Sequence, residues 1–134
     1  MSISNEYLQK FNADSLNRLL GFTLLEQGPG YGRIVLRKNE KTPTGIGGSV
    51  NGGVLAAMVD VVMLAAVFGE MKGEEPAGTA ELSISYLRQA HGEHIYATAH
   101  VIKRGRQLAV VDVEITDDDD RLCTKARVTY AFRA

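Results

Sequence analysis

Apolar and polar positions along this chain change period twice. Tyr7, Leu8 and Phe11, then Leu16, Leu19 and Leu20, recur at spacings of three and four, the period of one helix face. Asp14 is placed to cap the second of these turns and Gly21 to stop it, so residues from about 4 to 20 predict a short amphipathic helical segment open to a break at Asp14. Two strand-like stretches follow, 22–27 and 31–37, joined by Gly28-Pro29-Gly30, whose residues favour a tight turn; they read as a hairpin. From Val54 to Phe68 the chain is apolar over the length of a helix, apart from one acid, Asp60. After a Gly/Glu/Pro stretch at 69–78 everything alternates. The apolar sets are Ala80, Leu82, Ile84 and Tyr86; Ile95, Ala97, Ala99 and Val101; Ala109, Val111, Val113 and Ile115; and Leu122 through Ala126, Val128 and Tyr130 to Phe132. Four long strands in meander order are expected, turning at His91-Gly92, Gly105 and Asp117 to Asp120.

A long apolar helix with five to six antiparallel strands is an α+β architecture in which one sheet face wraps the helix. The helix is apolar all round, and one sheet covers only one side of it. Its remaining surface needs a second cover, which another copy of the chain about a two-fold axis would supply, so a homodimer is part of the expectation. The 134 residues suit a single domain, 1–134, that buries one core.

Charge narrows the partners. Fifteen Lys and Arg face sixteen Asp and Glu, with no basic block, so the electrostatic footprint of a nucleic-acid binder is missing. One cysteine, Cys123, excludes an internal disulfide framework and leaves no thiolate cluster for a metal. The first residues lack the basic stretch and apolar core of a signal peptide, which reads as cytoplasmic. The apolar run is shorter than the ~20 residues that span a bilayer and carries Asp60 at its centre, so a membrane is not expected as partner.

Asp60 is the first candidate for chemistry, because an unpaired carboxylate in an apolar interior costs several kcal/mol or shifts its pKa. Its helix opens from the turn Gly47-Gly48-Ser49-Val50-Asn51-Gly52-Gly53. Backbone N–H groups at Gly52, Gly53 and Val54 are expected as unpaired helix-start donors backed by the helix dipole, suited to a developing oxyanion. Glycines there admit a substrate carbonyl to the backbone. Gly53 and Asp60 are seven residues apart, about 10 Å along the axis, so one chain cannot bring both to one reacting atom. Antiparallel pairing of two such helices across a dimer would supply Asp60 from the partner. Ala56 and Ala57 cut away the face on which Asp60 leans and leave a slot.

The stretch from Asn51-Gly52-Gly53 to Asp60, then Thr79 to Arg88, then Lys103-Arg104-Gly105-Arg106, resembles the signature of hotdog-fold acyl-CoA thioesterases of the PaaI, 4-hydroxybenzoyl-CoA thioesterase-like type. The resemblance covers roughly residues 20 to 133. It implies hydrolysis of a small, medium-chain or aryl acyl-CoA to the free acid and coenzyme A, without a cofactor, at two sites on each dimer interface, often in a dimer of dimers, that is, a homotetramer. By the same resemblance Asp60 matches the catalytic carboxylate, acting as nucleophile or as general base on water. Gly53, with Gly52, matches the donor that polarises the thioester carbonyl, and Thr79 matches a residue that helps position the water or the carboxylate. Arg88, Arg104 and Arg106 fall where family members place cations near the nucleotide phosphates.

One position departs from the family pattern: Asn51 stands where His-Gly-Gly is usual. Asparagine can cap the helix and donate a hydrogen bond, but it cannot accept a proton as imidazole can. That argues against hydration or dehydration of an acyl thioester, which needs a histidine to move a proton at carbon. A non-catalytic acyl-CoA or lipid binder would use the same slot, and retention of Asp60 argues against it. His91, His94 and His100 are not placed for catalysis by the motif, and Asp117 to Asp120 reads as a solvated turn.

Overall fold

Two side-chain caps open the chain. In the computed structural model, which describes residues 3–133, Ser4 caps α1 (Asn5–Ala13) and Asp14 caps α2 (Ser15–Leu20), its carboxylate accepting the Asn17 N–H at 3.1 Å. The break at Asp14 is therefore a helix restart, and buried Asn17 ties the halves together by donating its amide to the Phe11 carbonyl at 3.1 Å. Gly21, left-handed at φ 77°, ends α2 as expected.

The hairpin β1 (Phe22–Gly28) and β2 (Tyr31–Arg37) forms where its turn residues place it, antiparallel, with an irregularity between Leu24 and Glu26. A loop with a short 3-10 turn at Ile46–Gly48 leads into α3 (Gly52–Phe68). Then come β3 (Glu75–Tyr86), β4 (His94–Arg104), β5 (Leu108–Thr116) and β6 (Leu122–Arg133). All six strands make one antiparallel sheet in the order β1-β2-β4-β5-β6-β3.

That order corrects the expected meander. β3 crosses to the far edge and pairs with β6, while β4 pairs with β2, so His91-Gly92 lies in a crossover rather than in a hairpin turn. The physical reason is that a two-residue period fixes the face a side chain points to and carries no information about the neighbouring strand. β3 differs in burial too: Leu82 and Ile84 are half-buried, but Ala80 and Tyr86 are exposed. Register shifts at Pro76/Gly78 and Thr79/Glu81 disrupt its alternation.

α3 packs chiefly against β2, β4 and β5, with Met58, Val59, Val62, Met63, Ala65 and Ala66 fully buried. The close approach depends on Gly32, where a Cβ would stand 2.8 Å from the Ala65 methyl. Buried Gln27 pins β1 to the helix by donating to the Ala65 carbonyl at 2.9 Å. One stripe of α3 escapes the sheet: Gly53 is exposed, and Ala57, Asp60, Leu64 and Phe68 are half-buried, at spacings of three and four. So Asp60 is not sunk in the core; it lies on the side of α3 that its own sheet leaves open. No helix among the described residues is long and apolar enough to cross a membrane.

Candidate active site

The α3 N-terminus is built by Asn51. With φ −55° and ψ 136° it is the N-cap: its side-chain oxygen accepts the Gly53 N–H at 2.7 Å, and its backbone carbonyl accepts Val54 at 3.0 Å and Leu55 at 3.1 Å. The expectation of three free donors is thereby corrected. Among the described residues Gly52 alone of the three keeps an N–H without a protein acceptor, because an asparagine cap reaches the second helical N–H and its carbonyl the third. The oxygen of the Asn51 amide is assigned by that bond, which leaves its NH2 as the side chain's donor. Replacing Asn51 with alanine is expected to lower stability by about 1 kcal/mol, read from the urea midpoint at unchanged slope.

Tyr86, which the alternation assigned to the sheet's apolar set, holds this turn from outside. Its hydroxyl donates to the Gly52 carbonyl at 2.8 Å, joining the edge strand to the first turn of the helix.

Asp60 sits almost two turns further along. Its Oδ1 accepts the Thr79 hydroxyl at 2.7 Å, so α3 and β3 bring together two residues nineteen positions apart. Thr79 is opposite Tyr130 of β6 in register. Tyr130 is buried, and its phenol pKa is pushed up by burial first and by the negative charge of Asp60 second. Sequence periodicity placed Tyr130 in the core but carried no sign of its closeness to the acid.

A cavity of about 910 Å³ lies beside Asp60, between the open stripe of α3, the α1–α2 pair and the β1–β2 turn. A second, of about 450 Å³, lies at the helix start, lined by Ile46, Gly52, Leu55, Tyr86 and Arg88 among others. Of the three candidate phosphate cations, Arg88 is exposed at this second cavity and Arg106 is exposed in the turn between β4 and β5. Arg104 is engaged: it pairs with Glu74 at 2.6 Å and stacks 3.8 Å from the Phe132 ring centroid. The Glu74 carboxyl is held below its ordinary range by the Lys72 N–H first and by Arg104 besides. Two histidines are engaged elsewhere, His94 with Asp118 at 3.2 Å and His100 against the Tyr31 ring, while His91 lies 3.1 Å from Gln89, which lines the second cavity. Asp117 folds the β5–β6 turn by accepting the Asp119 and Arg121 N–H groups.

Residues 47–124 match the family model described as the thioesterase superfamily. Acyl-coenzyme A thioesterase 13 of Homo sapiens is 35% identical over 107 residues, covering 78% of this chain and 75% of the relative. Among solved structures, the PaaI protein from the phenylacetic acid degradation operon of E. coli is 20% identical with a TM-score of 0.82, covering 94% of this chain and 89% of that one. A hypothetical thioesterase protein of Streptococcus pneumoniae, solved with coenzyme A, is 20% identical with a TM-score of 0.81, covering 95% and 97%. These two structural likenesses carry the fold, and the family match carries the class. With over half its length matched by the family model and its long helix laid across a six-stranded antiparallel sheet, the chain belongs to the thioesterase superfamily, as a hotdog-fold thioester hydrolase.

Proposed function

We propose that this protein hydrolyses an acyl-CoA to the free acid and coenzyme A in a homodimer, with Asp60 of one protomer working against the helix start of the other. The observation that carries the reading is the Thr79–Asp60 hydrogen bond on the stripe of α3 left open by the sheet, beside a cavity. Thr79 has a single hydroxyl proton and donates it to Oδ1, which leaves Oδ2 free to attack the thioester carbon or to take a proton from water. The part of the stripe from Gly53 to Asp60, ahead of the stretch that α1 and α2 wall, is the surface a second copy would meet, and antiparallel pairing along it supplies the acid to the helix start that its own chain keeps ~10 Å away.

At that start, the Gly52 N–H and the NH2 of Asn51 are the donors for the thioester oxygen; the Gly53 N–H supports them indirectly by fixing the asparagine. Loss of one such donor costs about 3 kcal/mol of transition-state stabilisation. Arg88, beside the helix start, is the cation best placed to meet a nucleotide phosphate, whereas Arg104 already has Glu74. Asn51 in place of histidine disfavours the hydratase reading, since the residue capping the helix start cannot accept a proton as an imidazole does.

The test is free-thiol release from a panel of short, medium, long and aryl acyl-CoAs by purified protein, with sizing of the same sample. Thiol release matched by acid formation is expected. A folded dimer that binds these substrates without releasing thiol would move the assignment to an acyl-CoA-binding protein. Thr79→Val is expected to lower kcat about tenfold with KM and folding little changed, because it frees the carboxylate to rotate while removing an exposed hydroxyl.

A further inference from the structure

We propose that the acyl group taken by this site is a straight medium-length chain laid along α3 from Asp60, and that the Tyr7–Phe68 aromatic pair sets its upper length. The inference rests on the thioesterase reading above and deepens it. Asp60, Leu64 and Phe68 fall on successive turns of one helix face and all line the same cavity, so its apolar floor is drawn out along the helix axis. From Asp60 to Phe68 is eight residues, about 12 Å, the length of an extended chain of about ten carbons.

The opposite wall is supplied by α1 and α2, where Tyr7, Phe11 and Leu16 line the cavity. Charged Glu6, Lys10 and Asp14 also border it from these helices. A carboxylate or an ammonium gains nothing by facing a hydrocarbon, so the apolar strip between them selects the chain's course. The volume by itself admits either a ring or a chain; the length discriminates. An aryl group would cover the first turn beyond Asp60 and leave the Leu64–Phe68 surface bare.

Tyr7 and Phe68, from facing walls of the cavity, touch each other and narrow it beyond Leu64. Tyr7 and Phe68 meet edge to face with ring centroids 5.9 Å apart, Phe68 meets Tyr130 at 6.0 Å, and Tyr130 meets Phe132 at 5.5 Å. Tyr130 and Phe132 belong to the buried core of β6, so Phe68 is backed by rigid packing. Tyr7 comes from α1, outside the sheet, and its phenol is buried enough to push its pKa well up. A longer chain has to displace Tyr7 before it can advance.

The experiment measures kcat/KM on a straight-chain series from butanoyl- to hexadecanoyl-CoA, with phenylacetyl-CoA alongside, for wild type, Tyr7→Ala and Leu64→Trp, each checked by circular dichroism and sizing. In wild type each added methylene is expected to raise kcat/KM about fourfold until the strip is filled near decanoyl, after which the rise stops. Tyr7→Ala is expected to move the maximum to longer chains, and Leu64→Trp, which blocks the strip halfway, to shorter ones. Hydrolysis with a flat profile, or with the aryl substrate best, overturns this inference and leaves the thioesterase reading standing. A maximum unmoved in both folded variants overturns the role of the aromatic pair. Absence of hydrolysis on every substrate sinks the thioesterase reading itself and this inference with it.

Discussion

Replacing Asp60 with asparagine is expected to lower kcat for acyl-CoA hydrolysis by about 10³-fold, roughly 4 kcal/mol of barrier, with little change in KM. Asparagine keeps the shape and can still accept the Thr79 hydroxyl at the Oδ1 position, so the substitution removes the charge and the proton-accepting capacity and little else. Stability should be nearly untouched. Asp60 lies on the half-buried stripe of α3, and its hydrogen bond to Thr79 survives the exchange, so none of the large mechanisms of destabilisation is engaged. Thermal unfolding and sizing of the same preparation therefore separate lost chemistry from lost structure. A folded Asp60→Asn variant retaining a tenth of wild-type kcat would remove Asp60 from the role of nucleophile or base and return attention to the helix-start donors.

Gly69→Ala is the substitution expected to damage folding most. Gly69 follows α3 with φ −65° and ψ −17°, an ordinary helical conformation, so its need for glycine is not a matter of backbone freedom. It is a matter of contact: a Cβ would stand 2.0 Å from the carbonyl oxygen of Gly28 and 2.9 Å from its carbon. Both are backbone atoms at the end of β1, held by the hairpin and unable to rotate away as a side chain would. Separating the end of α3 from the hairpin also disturbs Gln27, which binds the helix one turn earlier at Ala65. The expected loss is about 3 kcal/mol, at the upper end of overpacking costs. For a chain of this size that is a fall in Tm of roughly 10 °C by differential scanning calorimetry. Gly28, Pro29 and Gly69 all border the cavity beside Asp60, so activity should fall with stability. An unchanged Tm would mean that the helix end slides off the hairpin at no cost, and that the clash does not govern this junction.

The candidate site was proposed from features read one residue at a time. An acid alone in an apolar helix, a glycine pair behind an asparagine, and the spacing between them are local features, and each survives in the folded molecule. What local reading missed was competition: the asparagine able to cap the helix consumes the Gly53 donor that the same glycines were expected to offer. Arg104 is a similar case, since its partner Glu74 lies thirty residues away and only the fold brings the two together. Thr79 entered through family resemblance, and its bond to Asp60 gives that resemblance a geometric content.

The sequence by itself determined α3, the hairpin and the inward face of β4, β5 and β6, because periods of 3.6 and 2 are written in consecutive side chains, whereas the register shifts of β3 broke that pattern. It also determined that α3 carries more apolar surface than one sheet can cover. The tertiary structure alone decided that β3 pairs with β6 on the outer edge, that Tyr86 anchors the helix start, and that Tyr7 meets Phe68 in the wall of the cavity. Each of these joins residues thirty or more positions apart, and such pairings are chosen by the packing free energy of the whole chain, which no local window contains.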